Sequence, residues 1–218
     1  MNRDIYELMA TQRAIRRLRP DPIADDVLRR ILQAAAWAPS GGNAQPWRMV
    51  LVHDADKKTA LGAMYARRWA RFADLYRQRF ADADETVRRK EGRTIAAGDH
   101  LAEHFGDCPV VAVVCFNPEQ MAITDARQDR VSVVGGGSVY PAVQNLLLAC
   151  RAEGVGCVLT TLLCQDEAAV KALLGIPAGW YTAAAVPMGY PVGGGYGPTT
   201  RRDLDALFYR DAWKAPLR

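Results

Sequence analysis

Residues 108–116, Cys-Pro-Val-Val-Ala-Val-Val-Cys-Phe, form an unbroken apolar and largely β-branched run. A strand with one wet face alternates apolar and polar residues. A run without that alternation reads as a central strand buried on both faces. Residues 155–163 and 182–188 have the same character, and residues 46–52 read as a further strand. Between these runs the period changes to that of helices. Ile5, Leu8 and Met9 open the chain at helical spacing. Asp25 stands at the start of a second helix, with Val27, Leu28, Ile31, Leu32, Ala35 and Ala36 along one face. That helix breaks at Pro39-Ser40-Gly41-Gly42-Asn43, where Gly and Asn supply the backbone angles a tight loop needs. Gly135-Gly136-Gly137-Ser138 leads into a helix carrying Val143, Leu146, Leu147 and Cys150, and Gly154 and Gly156 end it. Another helix starts at Asp166, and a short one is expected over 203–209. Strands and helices alternate without repeats or linkers, so residues 1–218 are expected to form a single mixed α/β domain.

Composition narrows the function. The 218 residues are 50% hydrophobic and 24% charged, as in folded soluble chains. The net charge of +4 is too small to point to nucleic acid. Arginine outnumbers lysine 23 to 5, which suits fixed bidentate contacts to phosphate. The five cysteines form no CxxC pair, and His53, His100 and His104 lack metal-ligand spacing. Free buried thiols, and hence a reducing cytoplasmic setting, are expected. The first twenty residues do not read as a signal peptide, and no run reaches the ~20 apolar residues that span a bilayer.

Residues 57–104 read as helical, polar and rich in arginine, with a thin apolar stripe. Residues 67–93 hold nine basic and five acidic side chains, a surplus equal to the charge of the whole chain. A solvated helical flap and a mobile cover over an anionic ligand are both consistent with this pattern. No GxSxG, HExxH, P-loop or GxGxxG after a strand is present, so a reactive group is expected to come from a cofactor. Two segments carry paired arginines: Arg13 and Arg16 in Gln-Arg-Ala-Ile-Arg-Arg-Leu, and Arg201-Arg202. Paired guanidinium forks suit a phosphate dianion. Asn43 and Gln45, beside Trp47, offer the amide groups that read the edge of a flat heterocycle.

Four blocks make the sequence similar to the nitroreductase family of FMN-dependent oxidoreductases, from the first helix to about Trp213. They are Arg13-Ala14-Ile15-Arg16-Arg17-Leu18, Ala38-Pro39-Ser40-Gly41-Gly42-Asn43-Ala44-Gln45-Pro46-Trp47, Gln144-Asn145-Leu146-Leu147-Leu148-Ala149 with Gly154-Val155-Gly156, and Gly189-Tyr190-Pro191 followed by Arg201. The resemblance implies an α+β three-layer fold, its central, mostly antiparallel sheet flanked by helices. It also implies an intertwined homodimer with two FMN sites in the interface, each built from both chains. Arg13, Ala14 and Arg16 would line FMN, with Arg16 toward the pyrimidine edge of the ring. Pro39, Ser40 and Gly41 would approach from the other subunit. Asn43 would bond the ring system, supported by Gln45. Thr160 and Thr161 match the strand end beside the flavin, and Arg201, or Arg202 in its place, would hold the phosphate. NADH or NADPH would supply hydride, and an electron-poor nitroaromatic or quinone would take it, in ping-pong turnover. A dehalogenase-like specialist of the same fold and a non-catalytic FMN-storage protein are the alternatives. Gln12 and Ala14 stand where the family often has Arg and Ser, and glycines stand where an Asp commonly opens the helix bearing Gln144. Residues 64–106 form an Arg-rich insert at the place of a substrate lid, which makes Tyr65 and Arg68 candidate substrate contacts.

Overall fold

The structure, a computed structural model, describes residues 4–217. A four-stranded antiparallel sheet has the order β1-β2-β4-β3. The strands are β1 (Trp47–Val52), β2 (Val110–Phe116), β3 (Gly156–Cys157) and β4 (Tyr181–Gly189). β2 lies between β1 and β4, with Val113 opposite Val50 on one side and Ala185 on the other. Side chains alternate across a strand. Val110, Ala112 and Val114 therefore enter one core with helices α2 (Asp25–Ala36) and α5 (Tyr140–Glu153). Val111, Val113 and Cys115 enter a second core with α3 (Ala55–Arg79), α4 (Glu85–His104) and α6 (Glu167–Leu174). The result is the three-layer α+β arrangement. The short α1 (Ile5–Thr11) contributes Leu8 and packs on α5.

The Arg-rich segment is two antiparallel helices rather than one flap. α3 carries Leu61, Tyr65, Trp69 and Ala73 at intervals of four, and this narrow stripe is buried. Asp54 caps its first turn by accepting from the Lys57 N–H at 2.9 Å. α4 starts after the cap Asp84, and its buried residues are Ile95, Gly98 and Leu101. The helices cross where Trp69 lies over Gly98, and Trp69 Nε1 donates to Asp99 Oδ1 at 2.7 Å. A Cβ at Gly98 would come within 1.9 Å of the Trp69 ring. The inner parts of this segment thus form one layer of the core.

Two further expectations change. The strand expected over 155–163 is reduced to β3, with a single bridge resuming between Thr160 and Ala185. Pro187 of β4 accepts a long 3.4 Å bond from the Val158 N–H but has no N–H to return, so the ladder breaks there. The chain then turns into the 3₁₀ segment Leu162–Asp166. The helix expected over 203–209 is one 3₁₀ turn, Leu204–Ala206. Leu204, Leu207 and Phe208 remain exposed within the chain, and a short helix gains most of its stability from packing.

All five cysteines are free, four of them buried. Burial pushes the Cys108 thiol up to about 12 and that of Cys115 to about 11, so neither is a nucleophile near neutrality. Among the described residues no helix is long and apolar enough to cross a membrane. Gly98→Ala is expected to destabilise the fold by about 1–3 kcal/mol through overpacking against Trp69. Gly92→Ala, on the same helix and facing open space, should be neutral or stabilising by up to about 1 kcal/mol. Urea denaturation of both variants checks the pair.

Candidate active site

The site begins where α1 ends. From Gln12 the chain is extended and bonded on both sides. The Ile15 N–H donates to Cys157 O at 2.8 Å, the Val192 N–H to Arg17 O at 2.9 Å, and the Arg19 N–H to Tyr190 O at 2.7 Å. Buried Ile15 anchors the segment. Two glycines permit so close an approach. A Cβ at Gly156 would lie 2.9 Å from both Ile15 and Leu18, and one at Gly189 would lie 3.0 Å from Arg19 O. A rigid ribbon along the sheet edge thus presents Arg13, Ala14, half-buried Arg16 and Arg17.

These residues line a cleft of about 370 Å³, together with Arg93, Thr94 and Ala97 of α4 and with Val192 and Gly195. Among the described residues, none of the four arginines has a carboxylate within ion-pair distance. Arg17 Nη1 lies 3.4 Å from His100 Nδ1. Partial burial, and then the Arg17 charge, hold the His100 imidazole below its ordinary value, which favours its neutral form. Four guanidiniums without a carboxylate partner among the described residues thus share one concave surface.

Thr160 and Tyr65 are buried beside this ribbon. Thr160 exchanges both backbone bonds with Ala185, at 2.9 and 2.8 Å. Tyr65 stacks on Phe105 and Trp69, with centroids 4.9 and 6.4 Å away. Burial pushes its phenol up to about 12, while the Arg16 charge and the Thr160 hydroxyl act in the opposite direction. At 2% exposure Tyr65 supports the site from the core rather than facing the cleft. Arg68 points elsewhere. Its Nε and Nη2 bond Asp166 Oδ2 and Oδ1 at 2.9 and 2.5 Å, and Nη2 also reaches Gln165 O at 3.3 Å. That fork pins α3 to the turn before α6 and is not part of the cleft lining.

The loop 39–45 is a separate, exposed shelf. Gly42, Asn43 and Gln45 have φ of 58°, 54° and 48°. For Asn43 and Gln45 this left-handed geometry costs on the order of 1–3 kcal/mol each, and such strain concentrates at functional sites. Ser40 Oγ accepts from the Gln45 N–H at 2.9 Å, and Ser138 Oγ accepts from the Gly41 N–H at 3.0 Å. Gln45 Nε2 donates to Asn43 Oδ1 at 3.1 Å. Ser40, Asn43 and Gln45 are therefore held by bonds within the loop and Gly41 by Ser138, but neither they nor Pro39 line the arginine cleft of their own chain. Thr161 lines another cavity, of about 330 Å³, with Phe116, Met121, Tyr140 and Cys164. Arg201 and Arg202 are exposed on the C-terminal segment, outside the cleft lining.

Sequence reasoning missed Arg17, Arg93, Thr94 and Ser138. Nothing in helical period separates Arg93 from Arg88 or Arg89; only the crossing of α3 and α4 brings it over the ribbon. Ser138 sits in a Gly-rich turn, and its role as a loop anchor depends on the fold.

The architecture is thus a covered antiparallel sheet with a cationic cleft at one edge and a strained amide shelf apart from it. The chain belongs to the nitroreductase family, whose description, Nitroreductase family, matches residues 9–190. It is 33% identical over 199 residues to a protein of Thermus thermophilus named NADH dehydrogenase, covering 90% of each chain. It is 31% identical over 185 residues to the 5,6-dimethylbenzimidazole synthase of Rhodospirillum rubrum, covering 84% of this chain and 80% of that one. Its fold matches a nitroreductase with bound FMN from Desulfitobacterium hafniense, with a TM-score of 0.66 and 20% identity, over 97% of this chain and all of the other.

The Arg68–Asp166 pair makes a pH-dependent contribution. Arg68 holds the Asp166 carboxyl below its ordinary value. With the folded value depressed, the added stability is present above the unfolded value of about 3.9 and is lost as pH falls through the folded one. Arg68→Met should flatten this acid limb of the urea midpoint against pH, whereas Arg16→Met should retain it.

Proposed function

We propose that the protein is an FMN-dependent oxidoreductase that passes hydride from NADH or NADPH to an electron-poor acceptor such as a nitroaromatic or a quinone. The observation that carries this reading is the cleft of four arginines without carboxylate partners, fixed on a ribbon bonded to the sheet. FMN fits the residues present. Its phosphate dianion matches guanidinium forks, and its flat, polar ring edge matches the amides of Asn43 and Gln45. When bound, FMN supplies the centre that accepts and returns hydride. Arg16 would place positive charge near the pyrimidine edge of the ring, which would make two-electron reduction easier. Arg13 would orient the phosphate end, and Arg201 or Arg202 of the C-terminal segment would hold the phosphate. Tyr65 and Thr160, both buried, keep water from beneath the ribbon. No side-chain base is required, and reductant and acceptor take turns in one pocket, hence ping-pong turnover.

The shelf 39–45 would serve the cleft of a second copy in an intertwined homodimer. Two features support this. An apolar groove of about 440 Å³ lies between α1, α2 and α5, lined by Ile5, Leu8, Trp37 and Leu148 among others. The C-terminal segment presents exposed Leu204, Leu207, Phe208 and Trp213. A single chain leaves both surfaces wet, and association buries them.

The visible absorption spectrum of the purified protein, with mass analysis of any small molecule released on denaturation, tests the reading. Flavin bands and released FMN are expected; a colourless protein that takes up no added FMN would overturn it. Arg16→Ala should raise the FMN Kd by roughly tenfold and lower the flavin potential. Asn43→Ala should slow reduction by NAD(P)H in stopped-flow half-reactions. Sedimentation velocity should return a dimer.

A further inference from the structure

The first half of α4 adds nothing to the core, since no residue of that helix before Ile95 is buried. Its side-chain ties to α3 are few. Glu91 accepts from the Tyr76 hydroxyl at 2.5 Å, and further along Asp99 accepts from Trp69 and Arg77. Arg93 has neither a carboxylate nor a hydrogen-bond partner among the described residues, yet it lines the cleft with Arg13 and Arg16. Thr94 beside it spends its hydroxyl only on a long 3.4 Å bond to Lys90 O. On the ribbon opposite, Ala14 offers no side-chain donor. Like charges gathered in one cleft repel, and a dianion among them turns that repulsion into attraction.

We propose that Arg93, assisted by the Thr94 hydroxyl, completes a clamp with Arg13 for a phosphate monoester dianion, and that the bound anion ties the first half of α4 to the 13–17 ribbon. The inference rests on the cofactor-site reading above. The dianion can come from two sources, the phosphate of FMN or the ribose phosphate that distinguishes NADPH from NADH. Without it, the helix segment around 85–94 is held by few contacts and opens locally. With it, the ligand bridges two elements and stabilises the closed form by its own binding free energy.

The test uses the full chain, Arg93→Ala and Arg93→Lys, with circular dichroism confirming that each is folded. The readouts are binding of FMN and of riboflavin to apoprotein by flavin fluorescence, KM for NADPH and NADH with holoprotein, and tryptic cleavage after Arg88, Arg89 and Lys90. If FMN supplies the phosphate, Arg93→Ala raises the FMN Kd by roughly tenfold and leaves riboflavin unchanged. Lysine should then recover part of the loss, because it keeps the charge without the fork. FMN should also slow tryptic cleavage in the wild type and not in Arg93→Ala. If NADPH supplies the phosphate, the FMN Kd is unchanged, KM rises for NADPH alone, and NADPH gives the protection. An Arg93→Ala protein with unchanged FMN and NADPH parameters, or cleavage indifferent to both ligands, overturns the clamp. Should the wild type bind no flavin, the functional reading falls. Protection of these sites by excess inorganic phosphate, present in the wild type and absent in Arg93→Ala, then upholds the clamp, and its absence overturns it.

Discussion

β2 has no wet face. Val110 to Cys115 are buried whichever way they point, so each face of the sheet must be matched by its own helical layer. Full burial of a valine side chain is worth about 1.5–3 kcal/mol, so leaving the two valines on either face of β2 open would cost a large fraction of the usual net stability of a domain. The two layers are chemically different. α2 and α5 bring mainly aliphatic side chains to one face, whereas α3 and the turn after α4 bring the aromatic column of Tyr65, Trp69 and Phe105 to the other. Tyr65 of the second layer lies near enough to the ribbon for the Arg16 charge to act on its phenol, while the first layer carries the 39–45 shelf through α2 and Ser138.

The site follows from the sheet edge. Gly156 and Gly189 allow the 13–19 ribbon to lie against β3 and the end of β4 at a distance no side chain would permit. Once its backbone bonds are made, Ile15 points inward and the arginines are left outside. Their charge is not spent inside the protein. Arg30, Arg68, Arg77 and Arg151 all meet carboxylates, whereas the cleft arginines meet none among the described residues. What sets the cleft apart is that four such arginines line one concave surface, where an external anion can meet them together.

Much of this was legible in the sequence, and the exceptions are physical. The run at β2, the Gly and Asn break after α2 and the arginine pair at 13 and 16 are local signals, and each survives in the structure. Lengths failed where a partner decides them. Pro187, a strand away, cuts the expected 155–163 strand short, and nothing in Val155-Gly-Cys-Val signals it. The 203–209 segment has helical spacing but no surface of its own chain to pack on. Arg68 and Tyr65 lie together at the start of the segment that the sequence places as a substrate lid. The fold sends one to Asp166 and buries the other, a distinction set by the crossing of α3 with its neighbours.

The ribbon also decides where this sheet can be extended. A bare strand edge offers unpaired N–H and C=O groups to any passing chain and so seeds aggregation. Here the β3 edge is closed: Cys157 O already accepts from Ile15, and Pro187 removes a donor one strand in. The opposite edge, β1, pairs with β2 alone among the strands. It carries Arg48, whose guanidinium lies over the Trp180 ring. Strand addition between misfolded copies is therefore confined to a six-residue edge with a cation already seated on it.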